Sequence, residues 1–288
     1  MNRIYAEDVY REVLGKKAKI TSRLYGGMMN ISYLINNGTK TEYILYLPNG
    51  KANKIVNREN EKAVHNIVYK LGLTKENVYF DTVHGIKINE YIPGISLDKA
   101  SEIDYQKVAD LLHQLHDSKE LAPNDYQPLN RLAYYENKAL SYVKEKDEYR
   151  YLRDFFSCHY NKLHNLPKVL CHNDFQKSNI IAGEDGNYYL IDFEFAGNND
   201  PIYDIAAFGN NSIEEGEKLL IQYFKKPTKE EWERFYLWRL FISLQWHVVA
   251  VSKHYQNEGS LTKFDFDAVA TYFLKNARRA KAKFLALK

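Results

Sequence analysis

The sequence predicts an α+β chain in which a small antiparallel sheet precedes a larger, mainly helical part. Three observations predict it. Runs of strand character at 20–24, 31–35 and 43–47 follow one another near the N-terminus, the last two joined through Asn36-Asn37-Gly38, a tight hairpin turn. Pro93-Gly94 then interrupts the chain. Beyond it apolar residues recur at helical spacing, as at Val108, Leu111, Leu112 and Leu115.

Taken in order, residues 4–14 read as a short amphipathic helix stopped by Gly15. Gly26-Gly27 lies between the first two strands, where absent side chains let backbone amides approach phosphate oxygens. Asn57 caps a helix that buries Val64, Ile67, Val68 and Leu71 and ends at Gly72, with Glu61 projecting from its first turns. Two more strands, 78–80 and 86–90, are joined through His84-Gly85. His113 and His116 share a helix with no third ligand in sight, so they are read as structural. Residues 125–132 read as a loop and 133–160 as two Tyr-rich helices. Thr228 and Glu231 form a capping box that opens a long aromatic helix, and a last helix from Phe266 ends in a basic run suited to its C-terminal dipole.

Composition sets outer limits. With 288 residues, 45% of them hydrophobic, the chain can bury a substantial core. Its 40 basic and 37 acidic residues leave a net charge of +3, which speaks against nucleic acid or an anionic membrane as a partner held by bulk charge. No apolar run approaches the ~20 residues of a membrane span. Arg3, Glu7 and Asp8 sit where a signal sequence needs its apolar segment, so a cytoplasmic location is expected. Cys158 and Cys171 are too few for a disulfide framework and are expected to be reduced and buried. The oligomeric state is left open.

The chemistry concentrates between 169 and 208. His172-Asn173-Asp174 follows the apolar Val169-Leu170-Cys171, Asn179 comes five positions after Asp174, and Asp192 ends a second apolar run, Tyr188-Tyr189-Leu190-Ile191. In a phosphoryl-transfer site of the kinase type, one Asp accepts the substrate hydroxyl proton, an Asn five positions on holds magnesium, and a second Asp holds the metal over the phosphates. Asp174, Asn179 and Asp192 fit those three roles. A carboxylate closing a buried strand needs a partner, and a divalent cation is a good one.

These blocks resemble the aminoglycoside phosphotransferase and choline kinase branch of the protein-kinase-like fold, and within it the bacterial LicA-type choline kinases. The similarity extends to Gly26-Gly27-Met28-Met29-Asn30, Asn57-Arg58-Glu59-Asn60-Glu61, Ile88-Asn89-Glu90-Tyr91-Ile92-Pro93-Gly94 and Asp200-Pro201-x-x-Asp204. The resemblance implies an N-lobe at 1–89 and a helical C-lobe at 90–288, and transfer of the γ-phosphoryl group of ATP, with Mg2+, to the hydroxyl of choline. It places Gly26, Gly27, Asn30, Ser32 and Glu61 at the phosphates and the backbone of Glu90 and Ile92 at the adenine. Asn179 and Asp192 would hold the metal; His172, Asp200 and Asp204 would support the catalytic loop. Trp246, with Tyr203 and Trp238, would cage a trimethylammonium group through cation–π attraction, and Glu194 and Asp200 would add counter-charges. One departure stands out: Tyr46 occupies the third-strand position where the relatives carry Lys or Arg. Either a cation from another strand (Arg23 or Lys40) takes over, or magnesium suffices, or the protein binds nucleotide without turning it over. Glu61, lacking its expected partner, would turn to Arg58, Arg23 or the metal. Ethanolamine, a sugar or an aminoglycoside remain alternative acceptors.

Overall fold

The computed structural model describes residues 3–24, 30–48, 56–256 and 265–288. Helix α1 (Arg3–Leu14) is followed by β1 (Lys19–Leu24), β2 (Asn30–Asn36), β3 (Glu42–Pro48), α2 (Arg58–Lys70), β4 (Asn77–Asp81) and β5 (Ile86–Glu90). The strands form one antiparallel sheet in the order β1-β2-β3-β5-β4. Because successive side chains alternate in direction, Tyr33, Ile35, Leu45, Leu47 and Ile88 share one face, where they bury with Val9 and Tyr10 of α1. The opposite face carries Ser32, Tyr46, Lys87 and Phe80 as one cross-strand row. That row becomes important at the site.

The chain divides into two compact units. The first comprises Met1–Ile103, Asp117–Asn124 and Lys177–Gly197; the second comprises Asp104–His116, Asp125–Gln176 and Asn198–Lys288. A small antiparallel sheet of β6 (Gly94–Ser96), β8 (Ile180–Gly183) and β9 (Tyr188–Leu190) completes the first unit. Gly94 has to be glycine there, since a Cβ would collide with the Ala182 carbonyl of the paired strand. Asn179, Asp192 and Glu194 therefore belong to the sheet-bearing unit, although the sequence reading put them on the helical side of a boundary at 89/90.

The second unit contains α3 (Tyr105–His116), α4 (Pro128–Ala139), α5 (Lys146–His159), α6 (Asn161–His164), β7 (Val169–Cys171) paired with β10 (Gly197–Asn199), α7 (Pro201–Phe208), α8 (Ile213–Phe224), α9 (Lys229–Tyr255) and α10 (Phe266–Leu285). Helix α9 is the axis of this unit: α4, α5, α7 and α10 all pack on it, which is why apolar residues occur around its whole circumference. Its start is the Thr228–Glu231 capping box. The stretch read as a loop at 125–132 begins a helix instead, because Pro128 sits at the first helical position, where its missing N–H costs nothing. Cys171 is buried, but Cys158 is exposed on α5.

Asp200 links α7 to α9. Its carboxylate caps α7 by accepting the Ile202 N–H (3.0 Å), and it also accepts Arg234 Nε (3.2 Å), Arg234 Nη2 and Trp238 Nε1 (2.7 Å). Asp200→Ala would leave a half-buried cation and a buried indole N–H without their acceptor. Urea denaturation should show a loss of about 3–5 kcal/mol. Thr228→Ala, which removes only an exposed cap, should cost about 1 kcal/mol.

Candidate active site

Strand β7 is buried and delivers His172, Asn173 and Asp174 at its end. The turn is held from α7: Asp204 accepts the backbone N–H of His172 on Oδ2 (2.8 Å) and that of Asn173 on Oδ1 (2.7 Å). His116 Nε2 lies 3.1 Å from the same Oδ2, and its Nδ1 lies 3.1 Å from Tyr223 Oη. Asn173 has φ of +60°, a left-handed conformation that Asn tolerates better than most residues. Its side-chain oxygen accepts from Asn199 Nδ2 at 2.8 Å. The Asp174 N–H then donates to His172 Nδ1 (3.3 Å), and the Asp174 carboxylate is half-buried. Gln176 Nε2 donates to Asp174 Oδ1 (2.5 Å) and is steadied by Asn210 Nδ2 on its own carbonyl oxygen (3.1 Å). Gln176 and Asn210 were not singled out in the sequence, and neither lies at a position that spacing would flag. His116, Cys171 and Asp204 bring ligand atoms within 4.8 Å of one another. The Asp204 oxygens are already engaged by N–H donors, so this cluster braces the loop.

In the first unit the organising group is Glu61, only 1% exposed. Arg58 Nη1 reaches its Oε2 at 2.7 Å, and Lys87 Nζ reaches its Oε1 from β5. Lys87 is 4% exposed, and its ammonium stands 4.8 Å from the centre of the Tyr46 ring and 5.6 Å from that of Phe80. Burial works against the Lys87 charge, but Glu61 and then Asp192 outweigh it and hold its pKa above the ordinary lysine value. Burial likewise pushes the Tyr46 phenol up to about 12, against the pull of Lys87, so it stays neutral. The cations considered from sequence lie elsewhere: Arg23 is exposed on β1 opposite Tyr33, and Lys40 is exposed between β2 and β3. Lys87 was missed because its alignment with Tyr46 depends on the β3–β5 register, which the sequence does not print. The one available signal was a lysine alternating with Ile86 and Ile88 in a short strand.

Asn179 ends the 3-10 turn Lys177–Asn179, and its backbone carbonyl accepts the Ile191 N–H at 3.1 Å, setting it beside the approach to Asp192. Asp192 has φ of +67°. Such a backbone at a buried strand end is strained and is characteristic of functional loops. An amide oxygen and a carboxylate are hard donors of the kind magnesium takes, so the residues present fit that ion. Asn30 and Ser32 stand on β2 on the same face as Tyr46 and Lys87, whereas Gly26 and Gly27 lie outside the described residues. The Glu90 N–H donates to the Glu76 carbonyl and the Tyr91 N–H to the Glu42 carbonyl, both at 2.9 Å, and Ile92 is buried as the chain leaves the sheet.

The acceptor residues named from sequence are divided. Glu194 is buried in the first unit. In the second unit, Tyr203 and Trp238 are each 2% exposed and form a core with Phe241; the Tyr203 hydroxyl lies 3.0 Å from that of Tyr126. Trp246 stacks on Phe273 of α10, ring centres 5.7 Å apart. Eight helical residues turn a side chain about 80° around the axis, so Trp246 faces α10 when Trp238 faces α7. A cavity of about 350 Å³ in this unit is lined by Asp125, Tyr126, Tyr160, Lys168, Asp200 and Trp238, among others.

Comparison with known proteins gives this geometry its family. The model of the phosphotransferase enzyme family matches residues 21–238, and the chain belongs to that family. The LicA protein of Haemophilus influenzae is 27% identical over 220 residues, 71% of this chain and 62% of that protein's length. The crystal structure of choline kinase LicA from Streptococcus pneumoniae superposes with a TM-score of 0.76 at 24% identity over 99% of both chains. A structure of LicA in complex with AMP gives 0.73, also at 24% identity, over 100% of this chain and 99% of that one. The fold is protein-kinase-like, an antiparallel sheet region followed by a helical region. Among the described residues no helix is long and apolar enough to cross a membrane.

The Asp204 clamp generates a test. Asp204→Ala should lower phosphotransferase turnover about 100-fold, the scale of a 1 Å misplacement at a reacting group, with the nucleotide KM changing little. Steady-state kinetics on protein with an unchanged circular dichroism spectrum would check it.

Proposed function

We propose that this chain is an ATP-dependent kinase that transfers the γ-phosphoryl group to the hydroxyl of choline, releasing ADP and phosphocholine. The observation that carries the reaction class is the presentation of Asp174: a half-buried carboxylate whose loop is fixed at two consecutive backbone N–H groups by Asp204. Such a carboxylate accepts the proton of an attacking hydroxyl without having to be reoriented. The Gln176 amide keeps one Asp174 oxygen directed. Asn179 and Asp192 would hold magnesium, which when bound neutralises charge on the transferring phosphates. Choline as acceptor draws support from the likeness to proteins called LicA and choline kinase. The aromatic lining of the second unit's cavity agrees with it. Tyr126 and Tyr160 line that cavity and would attract a trimethylammonium group through their rings, and Asp125, whose pKa is held down chiefly by its hydrogen bond from Lys168, adds a carboxylate.

A second reading has one observation in its favour. Arg131 of α4 stands 5.9 Å from the Tyr126 ring centre and shares its charge environment with Tyr135, Tyr203 and Asp174. Positive charge is already present there, which suits a neutral, hydroxyl-rich acceptor better than a quaternary amine.

One substrate panel separates the two. With ATP, magnesium and choline, ethanolamine, sugars or aminoglycosides as acceptors, choline should give the highest kcat/KM. Tyr126→Ala should raise its KM about tenfold, and Asp174→Asn should lower kcat by about 10²–10⁴. Preference for an uncharged alcohol, with Tyr126→Ala silent toward choline, would replace choline by the second reading.

A further inference from the structure

The third strand of this enzyme has a tyrosine where a kinase needs a cation, yet the helix glutamate that such a cation would meet is fully engaged. We propose that Lys87, reaching across from β5, is the lysine that holds the nucleotide phosphates, in the role a β3 lysine plays in other kinases. The assignment rests on the reading of the chain as an ATP-dependent kinase and is independent of the acceptor.

Geometry makes the relocation possible. Tyr46 and Lys87 are direct partners in the antiparallel β3–β5 pair. Residues so placed have Cα atoms about 5 Å apart and side chains on the same face. A lysine's four-carbon stem spans that gap. The Lys87 ammonium accordingly lies against the Tyr46 ring and on Glu61 Oε1. In kinases the defining partner of the phosphate lysine is this helix glutamate. What has changed is the strand from which the ammonium is supplied.

The surroundings argue for more than a structural ion pair. Arg58 already neutralises Glu61 through Oε2, so Lys87 is a second cation on one carboxylate. A buried pair adds little net stability by itself, and a second desolvated cation adds cost. An anionic ligand meeting the ammonium would offset that cost. Asp192 lies within the charge environment of Lys87, and Asn30 and Ser32 stand on the same sheet face. Tyr46 and Phe80 flank the ammonium with ring faces that favour its charge without neutralising it.

The first test uses wild-type protein. An acyl-phosphate derivative of ATP transfers its acyl group to a lysine amine beside the bound phosphates and releases the nucleotide. Peptide mass spectrometry should find Lys87 acylated, with excess ATP suppressing the modification. ATP-protected acylation at other lysines with Lys87 untouched would overturn the assignment, and this readout needs no variant to fold. The second test uses Lys87→Met, titrated calorimetrically with ATP and magnesium and then assayed for turnover. Nucleotide affinity should fall at least tenfold and kcat at least 100-fold, and the exchange variant Tyr46→Lys/Lys87→Tyr should recover a substantial part of both. Tyr46→Lys alone should be less active than wild type, because two ammonium groups then crowd one carboxylate. A folded Lys87→Met with affinity and kcat within twofold of wild type would sink the assignment while leaving the kinase reading intact, as would a Tyr46→Lys enzyme faster than wild type. Wild-type protein that binds no nucleotide would remove both.

Discussion

The first unit depends on the desolvated carboxylate of Glu61. Burial opposes its ionisation, but Lys87 and then Arg58 pull its pKa below the usual carboxylate range. Since Arg58 comes from the same helix and Lys87 from the sheet, satisfying the charge fixes α2 against β5. The same helix then fixes the loop beyond β9. Asn60 Nδ2 donates to the Ala196 carbonyl (2.8 Å), and the His65 ring meets Phe193 edge-on at 5.4 Å. One ion cluster thereby sets the strand, the helix and the segment bearing Asp192 in a common frame. The neutral His65 suits this arrangement: burial lowers its pKa to about 4, so it adds no third positive charge.

The second unit uses two carboxylates of one short helix in different directions. Asp200 and Asp204 lie one turn apart at the start of α7. The first joins α7 to α9 through Arg234 and Trp238, and the second holds the backbone ahead of Asp174. Stability and chemistry are therefore separable within a single turn of helix. The left-handed residues Asn173 and Asp192 each adjoin or bear a candidate site carboxylate, one in each unit, and both sit within hydrogen-bonded frames.

The strands, the helix opened by Asn57, the capping box at Thr228 and the α+β class were legible because each follows from local periodicity or end chemistry. The residues His172, Asp174, Asn179, Asp192 and Asp204 were legible as a spaced pattern. What could not be read depends on register and on rotation about an axis. Lys87 meets Tyr46 through a pairing between strands separated by a helix and another strand, and sequence distance conceals it. Trp246 shares a helix with Trp238, yet faces α10 and not α7. Pro128 lies in the stretch read as a loop, yet proline is also a favoured opening residue of a helix.

The cross-strand row Ser32, Tyr46, Lys87, Phe80 also bears on descent. If the anchor that an ammonium meets belongs to a helix, the strand supplying it is free to drift: a lysine gained on the neighbouring strand leaves the original one redundant and open to loss. Lineages can then exchange the two positions without passing through a dead ancestor. A missing residue in one column of an aligned family is thus poor grounds for declaring a member inert until the column beside it in space has been inspected.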